Sequence, residues 1–157
     1  TRNKPSNLPS KALLVPLPGV RCCLKRLMSP TLSSYIMVAA GGALGAVARL
    51  GVGHLAIAVL GVRVPWHTFA VNIIGCFALG VLTSLSGRLF ISQDFAQFFL
   101  AVGFLGAFTT FSTFEMEAWS LMQNGRASLA MLYIMSSVVV GLLAAAGGIW
   151  LGRLALP

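Results

Sequence analysis

The most informative part of this chain is Gly103-Phe-Leu-Gly-Ala-Phe-Thr-Thr-Phe-Ser-Thr-Phe-Glu-Met-Glu117, which places hydroxyls and two carboxylates inside an apolar segment of membrane length. Its phenylalanines favour burial, whereas its threonines and serine compete for main-chain hydrogen bonds, and Gly103 and Gly106 weaken a helix. The stretch therefore predicts a helix that is broken near residues 106–113. Irregular backbone at membrane depth is tolerated only where protein or a wet cavity satisfies its polar groups, so the break indicates an ion or substrate site.

The composition is that of an integral membrane protein. The chain has 157 residues, of which 57% are hydrophobic and only 9% charged, and its mean hydropathy is +0.89; ordinary soluble domains do not reach these values. Apolar runs near the roughly 20 residues that cross a bilayer lie at about 34–60, 66–90, 96–123 and 127–154. The predicted fold is an all-α membrane protein with four transmembrane helices. Too little sequence remains for a soluble catalytic domain.

Residues 1–31 differ in kind from the rest. They contain five of the seven prolines and six of the eleven basic residues, without a strong period, and predict a disordered basic tail. Met28 is a candidate start, so the tail need not be native, and residues 32–157 form the predicted four-helix domain. Without the tail the net charge falls from +8 to +2, so we expect no nucleic-acid partner.

The arginines outside the tail are balanced across the membrane. Four spans put both termini on one side, so that Arg88 and Arg153 face one compartment and Arg63 and Arg126 face the other. Equal counts favour neither orientation, which suggests that copies insert both ways and pair antiparallel. A native basic tail would instead favour cytoplasmic termini. Because four helices enclose little space, we expect an oligomer.

The first span carries a small-residue face and one arginine. Gly41 and Gly45 are spaced as in small-xxx-small helix contacts, and packing explains them. Arg49 follows on the same face, and a charge within a span is costly unless it is paired or near the interface. A structural ion pair, a contact with terminal carbonyls and an ion-binding role all remain open for Arg49.

A polar stripe runs along the second span. Thr68, Asn72, Gly75 and Thr83 lie on or near one face of a helix. For Asn72 two interpretations stand side by side: a hydrogen bond between helices, or an NH₂ group that donates to a desolvated anion.

The fourth span and the end of the third add further polar groups. Tyr133, Ser137 and Gly141 recur at intervals of four, either for packing or as hydroxyl donors along a pore. Glu115 and Glu117 are candidate proton carriers or cation ligands, and one of them could simply be solvated. His54 and His67 lie near loop ends without a neighbouring cysteine or carboxylate cluster, so the sequence does not indicate a metal site or an enzyme.

Three motifs together resemble a known family. Gly42-Ala-Leu-Gly-Ala-Val-Ala-Arg49, Thr68-Phe-Ala-Val-Asn-Ile-Ile-Gly75 and above all Gly103-Phe-Leu-Gly-Ala-Phe-Thr-Thr-Phe-Ser-Thr-Phe114 are similar to those of Fluc/CrcB-type fluoride channels, in the same order and spacing from about residue 32 to the end. The resemblance implies an antiparallel, dual-topology homodimer with two fluoride pathways and a central structural Na⁺. It also implies a multi-pass protein of the inner cell membrane.

The resemblance assigns roles to individual residues. Those that resemble the fluoride pathway are Thr68, Asn72, Phe111, Ser112, Thr113, Phe114, Glu117, Tyr133 and Ser137. The main-chain carbonyls of Gly106 and Thr109 resemble the sodium ligands. The chain departs from the family pattern at Ala107-Phe108, where Gly-Leu is common, at Glu115, where a small or polar residue is usual, and at His67, which stands in place of a usual glycine.

The function expected from these features is passive, fluoride-selective export that gives fluoride resistance and needs no cofactor chemistry or energy source. An alternative is a small four-helix proton-coupled multidrug or cation exchanger, in which Glu117 would be the coupling carboxylate. A third hypothesis is an assembly subunit in which the glycines and hydroxyls only join helices. It predicts that Asn72 and Phe114 tolerate any change that keeps packing volume.

Overall fold

Apolar runs separated by short turns form helices throughout the part of the chain that the computed structural model describes, which is residues 30–61, 65–85 and 91–155. The helices are Leu32–Leu60, Trp66–Leu85, Phe95–Leu105, Gly106–Phe108, Phe111–Gln123 and Ala127–Leu154. Residues 1–29 of the predicted tail and residues 86–90 of the second predicted run lie outside the described residues.

Four helical segments in the described ranges are long and apolar enough to cross a membrane, namely Leu32–Val59, Trp66–Leu85, Phe95–Gln123 and Ala127–Leu154. They coincide with the four predicted spans to within a few residues wherever the chain is described. Large apolar side chains such as Val47 and Leu142 are about two-thirds exposed on the surface of the single chain. Such a surface suits a surrounding of lipid or other apolar protein rather than water.

A glycine with a positive φ angle follows two of the helices. Gly61 (φ 76°) ends the first helix and Gly125 (φ 72°) lies between the third span and the fourth helix. Side chains other than glycine rarely adopt this conformation. At Gly125 the turn is tight, because the N–H of Arg126 donates to the carbonyl of Leu121 at 2.9 Å, so neighbouring spans run antiparallel.

The four spans pack as two tight pairs. The first helix lies against the first half of the third span, and the second helix lies against the fourth. A methyl group on Gly45 would collide with the carbonyl oxygen of Phe104, and one on Gly148 would collide with that of Phe77. The glycine face predicted in the first span is therefore a packing face, and Gly148 of the fourth helix is likewise a packing position.

The third span has two halves. Phe95–Leu105 is a π-helix, wider than an α-helix, and one α-helical turn, Gly106–Phe108, follows it. After an interruption the α-helix Phe111–Gln123 completes the span. Long π-helical segments are rare, and nothing in the sequence indicated this one. Gly103 belongs to the packing rather than to the interruption, since a methyl group on it would lie 2.9 Å from the carbonyl oxygen of Val38.

We expect Gly45→Ala to destabilise the folded protein. The new methyl group needs a backbone shift in the third span, which costs about 1–3 kcal/mol and outweighs the gain of about 1 kcal/mol in helix propensity. Gly51→Ala is the matched control on the same helix, because a methyl group there has nothing within 4 Å. Thermal unfolding of both purified variants in detergent should show a lowered Tm for Gly45→Ala alone; equal Tm values would contradict the close contact.

Candidate functional site

The third span is interrupted at two threonines. Thr109 (φ −77°, ψ 155°) and Thr110 (φ −145°, ψ 112°) are extended, between the helical turn that ends at Phe108 and the helix that begins at Phe111. The hydroxyl of Thr110 caps that new helix by accepting a hydrogen bond from the N–H of Thr113 at 3.4 Å. The predicted break is confirmed, and it lies within the predicted range 106–113.

Asn72 of the second helix forms hydrogen bonds to the break through both the nitrogen and the oxygen of its side-chain amide. Its Nδ2 donates to the carbonyl oxygen of Thr110 at 3.1 Å, and its Oδ1 accepts from the N–H of Thr110 at 2.8 Å. The side chain thus replaces the hydrogen bonds that an extended residue inside a membrane would otherwise lack. Because Nδ2 carries two hydrogens and uses one here, the second is available to another acceptor.

The main chain leaves the helical hydrogen-bonding pattern at the carbonyl of Thr109. The N–H of Thr109 still makes the helical bond to the carbonyl oxygen of Leu105, at 3.0 Å, and its hydroxyl donates to the same oxygen at 3.1 Å. Its own carbonyl follows an extended ψ angle and so points away from the course of the helix. Gly75 on the second helix makes room for the threonine, since a methyl group there would collide with Cγ2 of Thr109. Gly106 lies three residues earlier and is exposed.

A carboxylate forms the centre of a second polar cluster. Oε1 of Glu117 accepts a hydrogen bond from the hydroxyl of Thr68 at 2.8 Å, and Oε2 accepts one from the hydroxyl of Tyr133 at 2.8 Å. Nε2 of His67 lies 3.1 Å from Oε1. Three side chains from the second and fourth spans therefore meet at one carboxylate of the third span. We call His67, Thr68, Glu117 and Tyr133 the carboxylate cluster.

Two phenylalanines lie between the break and this cluster. The ring of Phe114 is 6% exposed, and its centroid is 5.2 Å from that of Tyr133 and 5.9 Å from that of Phe111. Phe111 itself is 74% exposed on the surface of the single chain. Thr68 and Asn72 are one helical turn apart, about 6 Å along the axis. The polar side chains and the rings therefore form a continuous trail from the carboxylate cluster to the break.

The other predicted pathway residues lie around this trail. Ser112 and Thr113 are exposed in the first turn after the break, and the hydroxyl of Thr110 donates to that of Thr113 at 2.9 Å. The Oγ atom of Ser137, one turn beyond Tyr133, is buried and has no hydrogen-bond partner among the described residues. A buried hydroxyl of this kind is available to a ligand or a water molecule.

Two cavities flank His67. One of about 290 Å³ is lined by His67 and Glu117 together with helix-end residues, among them Pro65, Asn124 and Arg126. The other, of about 480 Å³, is lined by His67 with Arg49 and His54 of the first helix. Because helix-end residues line the first cavity, the carboxylate cluster lies at one end of the bundle rather than at its centre.

The structure shows the surroundings of three residues that the sequence analysis named. His67 has a carboxylate neighbour, Glu117, which lies too far along the sequence for local spacing to show it. Arg49 makes no ion pair within the described ranges and lines a cavity instead. The hydroxyl of Thr83 donates at 2.6 Å to the carbonyl of Leu79 on its own helix.

One residue of the site was missed. Thr110 belongs to the quoted motif, yet its role as the main-chain partner of Asn72 was not predicted. The available signal was the pair of adjacent threonines, because a helix that breaks between hydroxyl residues needs a partner for the freed main-chain groups.

No group of three or more histidine, cysteine, aspartate or glutamate side chains that could hold a metal ion occurs within the described residues.

Comparison with known proteins points to one family. A family model described as "CrcB-like protein, Camphor Resistance (CrcB)" matches residues 36–149. A protein of Rhizobium johnstonii named "Fluoride-specific ion channel FluC" is 43% identical over 114 residues, which cover 73% of this chain and 91% of the relative. Proteins of the same name from Acidobacterium capsulatum and Magnetococcus marinus are 45% and 46% identical, and the matches cover 75% and 74% of this chain and 91% and 95% of the relatives.

Proposed function

The chain belongs to the CrcB-like family, and on that premise we propose that it is a fluoride-selective ion channel through which fluoride leaves the cytoplasm passively. Relatives that are 43% and 45% identical to it over the matched residues are named fluoride-specific ion channels. The observation that supports the proposal within the chain itself is the trail of donors and aromatic rings from Glu117 to the break at Thr110.

Fluoride is small and strongly hydrated, so a pore must replace its water with closely placed hydrogen-bond donors. Hydroxyl and amide groups of the trail are such donors, and hydroxyls rotate to suit a passing ion. Phenylalanine edges carry the positive part of the ring quadrupole and add weak attraction, which keeps the ion mobile. We propose that the path consists of Thr68, Asn72, Phe111, Ser112, Thr113, Phe114, Glu117, Tyr133 and Ser137.

An exchanger fits these findings less well. Such a protein needs a carboxylate in the membrane that gains and loses a proton during transport. The first helix has no acidic residue, and Glu117 already accepts hydrogen bonds from Thr68 and Tyr133. The family of the chain also favours the channel. Passive conduction includes no chemical step, so we propose no enzymatic activity.

We propose that the channel is an antiparallel homodimer. In one copy the ring of Phe111 is 74% exposed, and Ser112, Thr113 and the carboxylate of Glu115 are exposed beside it. A charged group facing lipid costs several kcal/mol, so this face needs a polar or protein surrounding. A second copy supplies one and encloses the path, and the balanced arginines favour insertion in both orientations.

We propose a central, structural Na⁺ bound by the main-chain carbonyls of Gly106 and Thr109. The donor type fits, because hard cations prefer oxygen ligands and the extended Thr109 has a carbonyl outside the helical pattern. Two carbonyls are too few for one cation, so an equivalent pair from the second copy would complete the set. The ion would hold the two breaks together, while the residues of the trail bind and pass fluoride.

The chain is a multi-pass membrane protein, and we propose the inner cell membrane as its location and residues 32–157 as its channel domain. Fluoride that enters a cell as HF in acid surroundings dissociates inside and is trapped as the anion. A passive path is then sufficient for export, because the anion flows out down its own gradient.

The test is efflux from liposomes that contain the purified protein, measured with a fluoride electrode beside a matched chloride experiment. We expect rapid release of fluoride and no release of chloride above that of protein-free liposomes. Equal release of both anions would contradict selectivity. No fluoride release from liposomes in which the assembled protein has been verified would contradict the channel itself.

A further inference from the structure

We propose that His67 sets the charge at the mouth of the fluoride path and makes conduction increase as the pH falls. This inference rests on the proposed function and concerns a residue outside the assigned path. Its Nε2 atom lies 3.1 Å from Oε1 of Glu117, and the two side chains are 33% and 19% exposed. A histidine in this contact is close enough for an ion pair and accessible enough to exchange protons with water.

In this geometry the net charge of the pair formed by His67 and Glu117 depends on whether His67 is protonated. A neutral imidazole with its hydrogen on Nε2 donates to Oε1 and leaves the carboxylate with its full negative charge. A second proton on Nδ1 turns the same contact into an ion pair with no net charge. Histidine is the side chain that ordinarily makes this change between pH 5 and 8.

The position of the pair explains why its charge matters to an anion. Both residues line the 290 Å³ cavity near the helix ends, and Glu117 is also bound to Thr68 and Tyr133 of the trail. An anion that enters the trail from this cavity passes the carboxylate first. A net negative charge there repels fluoride, and neutralising it removes that repulsion without displacing any side chain of the path.

The charged groups around His67 also favour a rise of conduction as the pH falls. The titratable or charged groups that share its contacts or its two cavities are Glu117, Tyr133 through the same carboxylate, Arg126, Arg49 and His54. Glu117 is the only acidic group among them in the described part of the chain. Its charge therefore dominates the repulsion of an anion at this end, and His67 is the group in direct contact with it.

The experiment measures fluoride efflux between pH 5.5 and 8.5, with the same pH on both faces of the liposomes because copies can insert both ways. Protein-free liposomes at each pH give the leak of HF, which is subtracted. We expect wild-type efflux to rise about three- to tenfold on acidification, the effect of one unit charge a few ångströms from a wet path. His67→Gln keeps a neutral donor and should give an efflux independent of pH.

His54→Gln is the matched control, because His54 is exposed and makes no contact with Glu117 in the described structure. It should keep the wild-type pH profile. A flat wild-type profile, or a His67→Gln variant that keeps the rise, would overturn the role of His67. His67→Gly replaces the glutamine variant if the latter does not assemble. Absence of fluoride efflux from the wild type at every pH would instead overturn the proposed function, so the two failures are distinguishable.

Discussion

Replacing Asn72 with aspartate is expected to lower fluoride efflux at least about 100-fold while the protein still folds and assembles. The aspartate can still accept a hydrogen bond from the N–H of Thr110, as Oδ1 of Asn72 does at 2.8 Å. Its second oxygen cannot replace Nδ2 of Asn72, which donates to the carbonyl oxygen of Thr110 at 3.1 Å. The fixed negative charge is the larger effect. At about 4 Å and an effective dielectric constant of about 20, two like charges repel by about 4 kcal/mol, which corresponds to a roughly 10²–10³-fold change in rate.

The measurement is fluoride efflux at pH 8, where an aspartate is ionised, together with the assembly state of the purified variant. Asn72→Ala separates the two effects, because it removes the amide without adding a charge. Gln93→Glu is the matched control for the same chemical change from amide to carboxylate, because Gln93 is exposed just before Phe95 and lines neither cavity beside His67. If Asn72→Asp conducts at the wild-type rate, Asn72 does not line the path and its hydrogen bonds to Thr110 are only structural.

Asn72 also shows why sequence alone left its role open. A bond between helices and a donor for an anion were both reasonable interpretations, and the structure supports the first directly while leaving one amide hydrogen for the second. The partner lies 38 positions away along the chain, and no local spacing identifies it. What the sequence could predict was that Asn72 lies on a polar stripe, because the helical period is local.

For the fold, too, local properties were predictable from the sequence and contacts between distant positions were not. The four spans and the break were predictable because hydrophobic length and runs of hydroxyl residues are local properties. The pairing of the first helix with the first half of the third span was not, since it depends on which glycine meets which carbonyl. The π-helical course of Phe95–Leu105 was not predictable either, because its apolar sequence suits an α-helix equally well.

The carboxylate cluster illustrates the limit most clearly. Thr68 and Glu117 are 49 positions apart, and no acidic residue lies near His67 in the sequence. The family resemblance predicted Thr68, Glu117 and Tyr133 as path residues, but it did not predict the contact with His67, because His67 is one of the positions where this chain differs from the family. Three-dimensional structure adds most at such positions.

Replacing Phe111 with isoleucine is the second large effect we expect, with fluoride efflux reduced at least about tenfold and the packing within each copy nearly unchanged. The ring is 74% exposed in one copy, so the smaller side chain removes little packing within the chain. It does remove a ring beside the break, and the edge of such a ring carries the positive part of the quadrupole. A tenfold fall in rate corresponds to about 1.4 kcal/mol, which is the size we expect for the loss of this weak attraction.

Phe95→Ile is the matched control, since this partly exposed ring lies at the start of the third span and stacks on Phe99 rather than on any residue of the break. It should leave efflux at the wild-type level. Unchanged efflux in Phe111→Ile would remove this ring from the path, and Phe114, buried against Tyr133, would be the only aromatic edge left along it. Proton-coupled flux that survives Phe111→Ile but not Glu117→Gln would instead support the exchanger, because a coupling carboxylate needs no aromatic edge.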